Sequence, residues 1–152
     1  MKILIYSLTI FTLNFCASFA QKKYSEKLIG IWNYIETRDK NDNKIFEYEE
    51  SFGKITANGP KIIFYSDYTF KKIFTPKNID IGKWKLNKKT KTVAYDLYID
   101  STDFIGKDLI KKGLALKQND GKYYEKIEDK IIQFKNDEII FEERGLFLIY
   151  KK

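Results

Sequence analysis

The sequence predicts an all-β fold: an antiparallel up-and-down β-barrel of about eight to ten strands, with one short helix near residues 103–113. Three observations carry this. Short runs rich in Ile, Val, Tyr, Phe, Trp and Thr recur along most of the chain, at the close spacing of a sandwich or barrel. Clusters of Asn, Asp, Gly and Pro punctuate them. Finally, Thr92 to Asp100 alternates cleanly, with Val93, Tyr95, Leu97 and Ile99 on one side and Thr92, Ala94, Asp96, Tyr98 and Asp100 on the other. That period of two belongs to a sheet with one face covered and one wet. An antiparallel sheet of this size must deal with its edges. Closure into a barrel removes them, and about eight strands leave an interior that is either filled by side chains or holds one small ligand.

Taken in order, the first strand spans Gly30 to Thr37, and Asp39-Lys40-Asn41-Asp42-Asn43 forms a turn. Lys44 to Glu50 is a second strand, ended by the break at Asn58-Gly59-Pro60. Lys61 to Tyr65 and Tyr68 to Phe74 flank Ser66-Asp67, read as a two-residue hairpin loop, and Thr75-Pro76-Lys77-Asn78 closes that pair. Ile81 to Leu86 and Lys91 to Ile99 flank the turn Asn87 to Thr90. Asp108 to Lys112 followed by Gly113 reads as a short helix with a glycine stop, or a loop, over one end of the sheet, with an irregular strand as the alternative. Lys122 to Ile127, Lys130 to Phe134, Glu138 to Glu142 and Leu146 to Tyr150 complete the set, with a turn at Asn136-Asp137.

The N-terminus is read apart from this fold. Lys2 gives a positive start, and an apolar run from Ile3 to Phe15 is interrupted only by Ser7, Thr9, Thr12 and Asn14. Ala17-Ser18-Phe19-Ala20 then supplies the small-x-small pattern of a cleavage site, which places the cut between Ala20 and Gln21. The run is shorter than the roughly 20 apolar residues of a spanning helix. A lipoprotein reading with Cys16 as the lipidated residue meets a large aromatic, Phe15, where a small residue is expected. The expected organisation is a cleaved signal peptide over 1–20 and one barrel domain over 21–152, periplasmic or secreted, with no stable membrane insertion after cleavage.

Composition bounds the chemistry. Cys16 is the only cysteine, so residues 21–152 carry none, and no disulfide staples the domain even in an oxidising compartment. Those 132 residues are enough for one core, burying roughly two-thirds of the unfolded surface. The net charge is +7, or +6 without Lys2, but of 28 basic residues only Arg38 and Arg144 are arginines, and the lysines are interleaved with Asp and Glu. Nucleic-acid binders commonly use arginine for bidentate contacts; this pattern is a solvated surface, and no nucleic-acid partner is expected.

A catalytic function is not expected. The chain has no histidine, which removes the usual general base and metal ligand. Residues 21–152 have no cysteine nucleophile, and the eight glycines are scattered rather than gathered in a phosphate loop. Carboxylates such as Glu47, Glu49, Glu50, Glu142 and Glu143 are abundant, but no pair stands out for hydrolytic work. Asp39, Asn41, Asn43 and Glu50 fall at positions of a calcium-loop pattern, yet Lys44 occupies the place of its turn glycine. A polar hairpin turn is the better reading, and no cofactor or metal is expected.

Two Gly-x-Trp motifs remain, Gly30-Ile31-Trp32 opening the first strand and Gly82-Lys83-Trp84 after the stretch Ile62 to Phe70. With Tyr24 to Leu28 as a short helical turn before the first, the chain resembles the lipocalin-like families of small exported bacterial proteins, of calycin type. The resemblance implies a barrel with a ligand cavity and no enzymatic activity. It also implies barrel closure by Gly30 and Trp32, with Arg144 from a late strand laid over the indole as a cation–π partner. No second lipocalin motif and no disulfide accompany these.

If the sheet closes, the inward candidates for a cavity are Phe64, Phe70, Trp84, Leu86, Val93, Tyr95, Leu97 and Ile99. With 11 tyrosines and 12 phenylalanines in the chain, such a cavity suits an apolar or amphipathic small ligand. The same residues could equally fill a solid core. The barrel would then be an interaction module for a protein partner in the cell envelope.

Overall fold

Alternation, rather than any single motif, builds the molecule. The computed structural model describes residues 25–51 and 53–152. Its strands are β1 (Gly30–Arg38), β2 (Lys44–Ile45), β3 (Glu47–Glu50), β4 (Gly53–Thr56), β5 (Lys61–Phe64), β6 (Thr69–Thr75), β7 (Asn78–Asn87), β8 (Thr92–Ile99), β9 (Ala115–Lys117), β10 (Tyr123–Phe134), β11 (Glu138–Glu143) and β12 (Leu146–Lys151). One helix, α1 (Phe104–Lys111), lies between β8 and β9.

Eight of these strands form a closed antiparallel ring in the order β1-β5-β6-β7-β8-β10-β11-β12, and β12 returns to β1 through Asn33↔Lys151 to Arg38↔Phe147. This is the antiparallel up-and-down barrel that the alternation implied. β2 extends the β1 ladder, β9 extends that of β10, and β3–β4 form a separate hairpin. The cleavage site, Cys16 and Tyr24 lie outside the described residues.

Three local readings are revised. Lys44 to Glu50 is not one strand: β2 ends before Phe46, whose carbonyl accepts from Ala57 N (2.8 Å), and β3 then turns away to pair with β4. The two segments expected at 122–134 are one strand, because Glu128-Asp129 is no turn; β8 pairs with it continuously from Tyr123↔Ile99 to Lys130↔Thr92. The loop after β5 takes Tyr65 to Tyr68 rather than two residues, since Tyr68 adopts a left-handed φ of 64° and Asp67 holds Thr69 N at 3.0 Å. The helix forms as the glycine stop implies. Asp103 caps it by accepting from Gly106 N (2.6 Å), and Gly113 ends it at φ 71°.

The asymmetry between the two barrel ends positions the site. Register places Gly30, Phe64, Leu86 and Val93 toward one end and Arg38, Lys61 and Thr75 toward the other. The first end is plugged. Trp32 is fully buried and its Nε1 donates to Leu28 O (2.7 Å), fixing the turn at 25–28 across the opening. Phe134 lies against the indole, with ring centres 6.0 Å apart. Above this plug Phe64, Phe70, Trp84 and Tyr95 interlock, Phe64 meeting Trp84 edge-on at 5.1 Å and Phe70 meeting Tyr95 at 4.8 Å. Gly82 lets the β7–β8 ladder close over them: a Cβ there would stand 2.1 Å from Asp96 O.

Candidate functional site

The second end is open. A cup of about 450 Å³ descends into it between Pro60, Ile62, Lys72, Phe74 and Asp80 on one wall and Ile127, Asp129, Phe141, Glu143, Leu148 and Tyr150 on the other. Strand alternation puts each in the lumen: Phe70, Lys72 and Phe74 share a face of β6, and Ile127, Asp129 and Ile131 share one of β10. Half of the lining is apolar or aromatic and half is charged, Glu128, Glu142 and Arg144 included, so an apolar wall meets convergent polar groups, as in a small-molecule site.

Lys72 is the floor's central group. It is only 8% exposed, yet it carries an ammonium, so it must be paired. Its Nζ donates to Asp129 Oδ2 at 2.8 Å, across the lumen, and lies 4.1 Å from the centre of the Tyr95 ring. Asp80 is the cross-strand neighbour of Lys72, but it receives no hydrogen bond or ion pair among the described residues. Burial raises the Asp80 pKa, and the Lys72 charge offsets that only in part. Tyr150 and Tyr95 are held protonated above the usual tyrosine range, first by burial and then by the Asp129 carboxylate. The Tyr95 hydroxyl is buried without a hydrogen-bond partner among the described residues, as is Trp84 Nε1.

A second hollow of about 380 Å³ adjoins the cup and shares Glu143, Arg144 and Leu148 with it. Tyr48, Glu49 and Ser51 line its far side, so the β3–β4 hairpin stands beside the barrel mouth. Behind the mouth the chain is pinned by Gly59. A Cβ there would meet Tyr150 Oη at 2.5 Å and Tyr34 Cδ2 at 2.6 Å, and Tyr34 Oη donates to Ala57 O (3.2 Å).

The eight residues expected to line a cavity sit elsewhere. Phe64, Phe70, Trp84, Leu86, Val93 and Tyr95 are buried together in the packed core; Leu97 packs half-buried against it, and Ile99 lies under α1 beside Gly106. None of them lines the cup. The reason is register: most of these side chains meet in the plugged half of the barrel, where opposing aromatics fill the space. The charged cup residues Lys72, Asp80 and Asp129 were missed because charge reads as a solvated face. A lysine between Phe70 and Phe74, and an aspartate between Ile127 and Ile131, on apolar strand faces were the available signal.

The expected pair of Trp32 with Arg144 is corrected. Arg144 stands in the β11–β12 turn at the open end, several residues of strand rise from the plug, roughly 20 Å by register. The cation over Trp32 is Lys152, whose Nζ lies 5.0 Å from the ring and donates to Lys27 O (2.7 Å). Partial burial lowers the Lys152 pKa. Gly30 adopts φ 133°, and the Lys152 chain runs 3.4 Å from where a Cβ would be. The Asp39 stretch is a turn: its carboxylate accepts from Asn41 N (2.8 Å) and Asn43 N (2.9 Å). Among the described residues no group of three His, Cys, Asp or Glu is placed to hold a metal ion.

The chain matches no family model and no curated protein. Among solved structures it is similar to a lipocalin-like protein from Bacteroides uniformis, at 13% identity and a TM-score of 0.47 over 83% of this chain and 98% of that one. An uncharacterized protein from Bacteroides eggerthii gives 13% and 0.47 over 82% and 98%. A DUF4847 family protein from Bacteroides vulgatus gives 13% and 0.42 over 80% and 91%.

Proposed function

We propose that this protein is an exported, non-enzymatic binding protein that takes a small amphipathic ligand into the open end of its barrel. The observation that carries this is the cup itself. Its volume of about 450 Å³ falls within the roughly 300–1,000 Å³ of small-molecule sites, and it is blind-ended above a solid plug. Phe74, Ile127, Phe141 and Leu148 offer an apolar wall, while Lys72, Asp129 and Asp80 offer a polar floor. Within this reading the apolar run at 3–15 and the Ser18-x-Ala20 pattern direct export.

One observation favours a second reading, an interaction module for an envelope protein. Phe104 (86% exposed), Ile105 (70%), Leu114 (53%) and Leu116 (60%) are exposed along the β8–β10 connection, which carries α1 and β9. Native mass spectrometry on protein purified from its own host separates the two. A reproducible small-molecule adduct, lost when Phe141 and Leu148 are replaced by Trp to fill the cup, supports the carrier. No adduct, together with co-purification of one envelope protein that Phe104→Ser and Leu116→Ser abolish, overturns it.

A further inference from the structure

We infer that the cup is one positive charge short, and that its ligands carry a cationic head, an ammonium or guanidinium, on a compact apolar body. The inference rests on the cup being the binding site. Four ionisable side chains point into the lumen there: Lys72, Asp80, Asp129 and Glu143. The ammonium of Lys72 is committed to Asp129, across the barrel, rather than to Asp80 beside it on the neighbouring strand. No hydrogen bond or ion pair from a described residue reaches Asp80 or Glu143. Arg144, the other cation of the lining, sits in the turn at the rim.

This excess is local. The chain as a whole is basic, at +7, so carboxylates outnumbering cations inside the cup runs against its composition. Glu128 and Glu142 also border the cup and deepen the negative field, although Glu142 is paired with Lys130 (2.6 Å). A carboxylate head could reach the remaining Lys72 donors only by lying among the like charges of Asp80, Asp129 and Glu143. A neutral head would leave the lone carboxylates as they are. A cationic head is the one chemistry that completes the set, with the apolar body against Phe74, Ile127, Phe141 and Leu148.

Three probes of equal length decide it: octylamine, octanoate and octanol, titrated calorimetrically into the purified protein at neutral pH. Octylamine is expected to bind about tenfold or more tighter than the other two, the size of one charge-assisted hydrogen bond. Asp80→Asn is expected to remove about that factor for octylamine and leave octanol unchanged. Lys72→Met is expected to strengthen octylamine, by releasing Asp129. Octanoate or octanol binding as tightly as octylamine to the unaltered protein overturns the cationic class while leaving the cup as a binding site. Failure of all three to bind overturns the cup itself.

Discussion

Lys72 crosses the barrel to meet Asp129, Nζ to Oδ2 2.8 Å, and in doing so caps the Tyr95 ring at 4.1 Å. The pair marks the level at which the aromatic core stops and the cup begins. A buried pair of this kind is poor evidence of net stability, but breaking it on one side is costly.

Lys72→Met therefore leaves the Asp129 carboxylate unpaired and is expected to cost about 2–3 kcal/mol in urea unfolding. Adding Asp129→Leu should return most of that loss, since the lone charge is then gone. A double variant as unstable as the single one would show that the pair is not the source.

Tyr95 answers in the opposite direction. Its hydroxyl is buried and unpaired, so Tyr95→Phe removes a desolvated polar atom without removing a bond. Stability should hold or rise by up to about 1 kcal/mol. A loss of more than that would mean that the hydroxyl is satisfied in solution.

Gly82→Ala tests the second Gly-x-Trp motif. The new Cβ would stand 2.1 Å from Asp96 O, a backbone atom fixed in the β7–β8 ladder, and 3.0 Å from Phe70 Cε1. We expect a loss of about 3 kcal/mol by chemical denaturation. Gly53→Ala, where a Cβ meets nothing within 4 Å but φ is 118°, should cost less, about 1 kcal/mol from backbone strain alone.

The plug is expected to depend on Trp32 and Lys152, not on Arg144. Trp32→Ala should cost about 3–5 kcal/mol, and Lys152→Met about 0.5–1 kcal/mol through loss of the cation–π contact. Measured by thermal unfolding, Arg144→Met should leave the environment of Trp32 unchanged in near-ultraviolet circular dichroism.

At high pH the tyrosines set the limit. Burial raises the pKa of Tyr95 and Tyr150, and burial with a hydrogen bond to Asp120 (2.8 Å) pushes Tyr124 up to about 12. A raised folded-state pKa stabilises below the unfolded value, near 10, and that stabilisation is lost as pH climbs through the folded value. Stability should thus fall steeply above about pH 10. Tyrosinate absorbance should show Tyr95 and Tyr150 ionising only on unfolding; their early titration in a folded protein would contradict their burial.

The antiparallel barrel, most of its turns and the glycine stop of the helix were legible in the sequence. Each follows from local backbone chemistry or from a period of two, and both are written in neighbouring residues. What lies over the indole was settled by tertiary pairing, because Lys152 and Arg144 differ in register, not in charge, and register is set by the β1–β12 ladder across more than a hundred residues. Tertiary pairing likewise decided where the open volume lies. The apolar residues of the alternating strands meet in the plugged half and fill it. The cup is left to those strands' buried charges, Lys72 on β6 and Asp129 on β10, 57 positions apart, whose partnership no local pattern could announce.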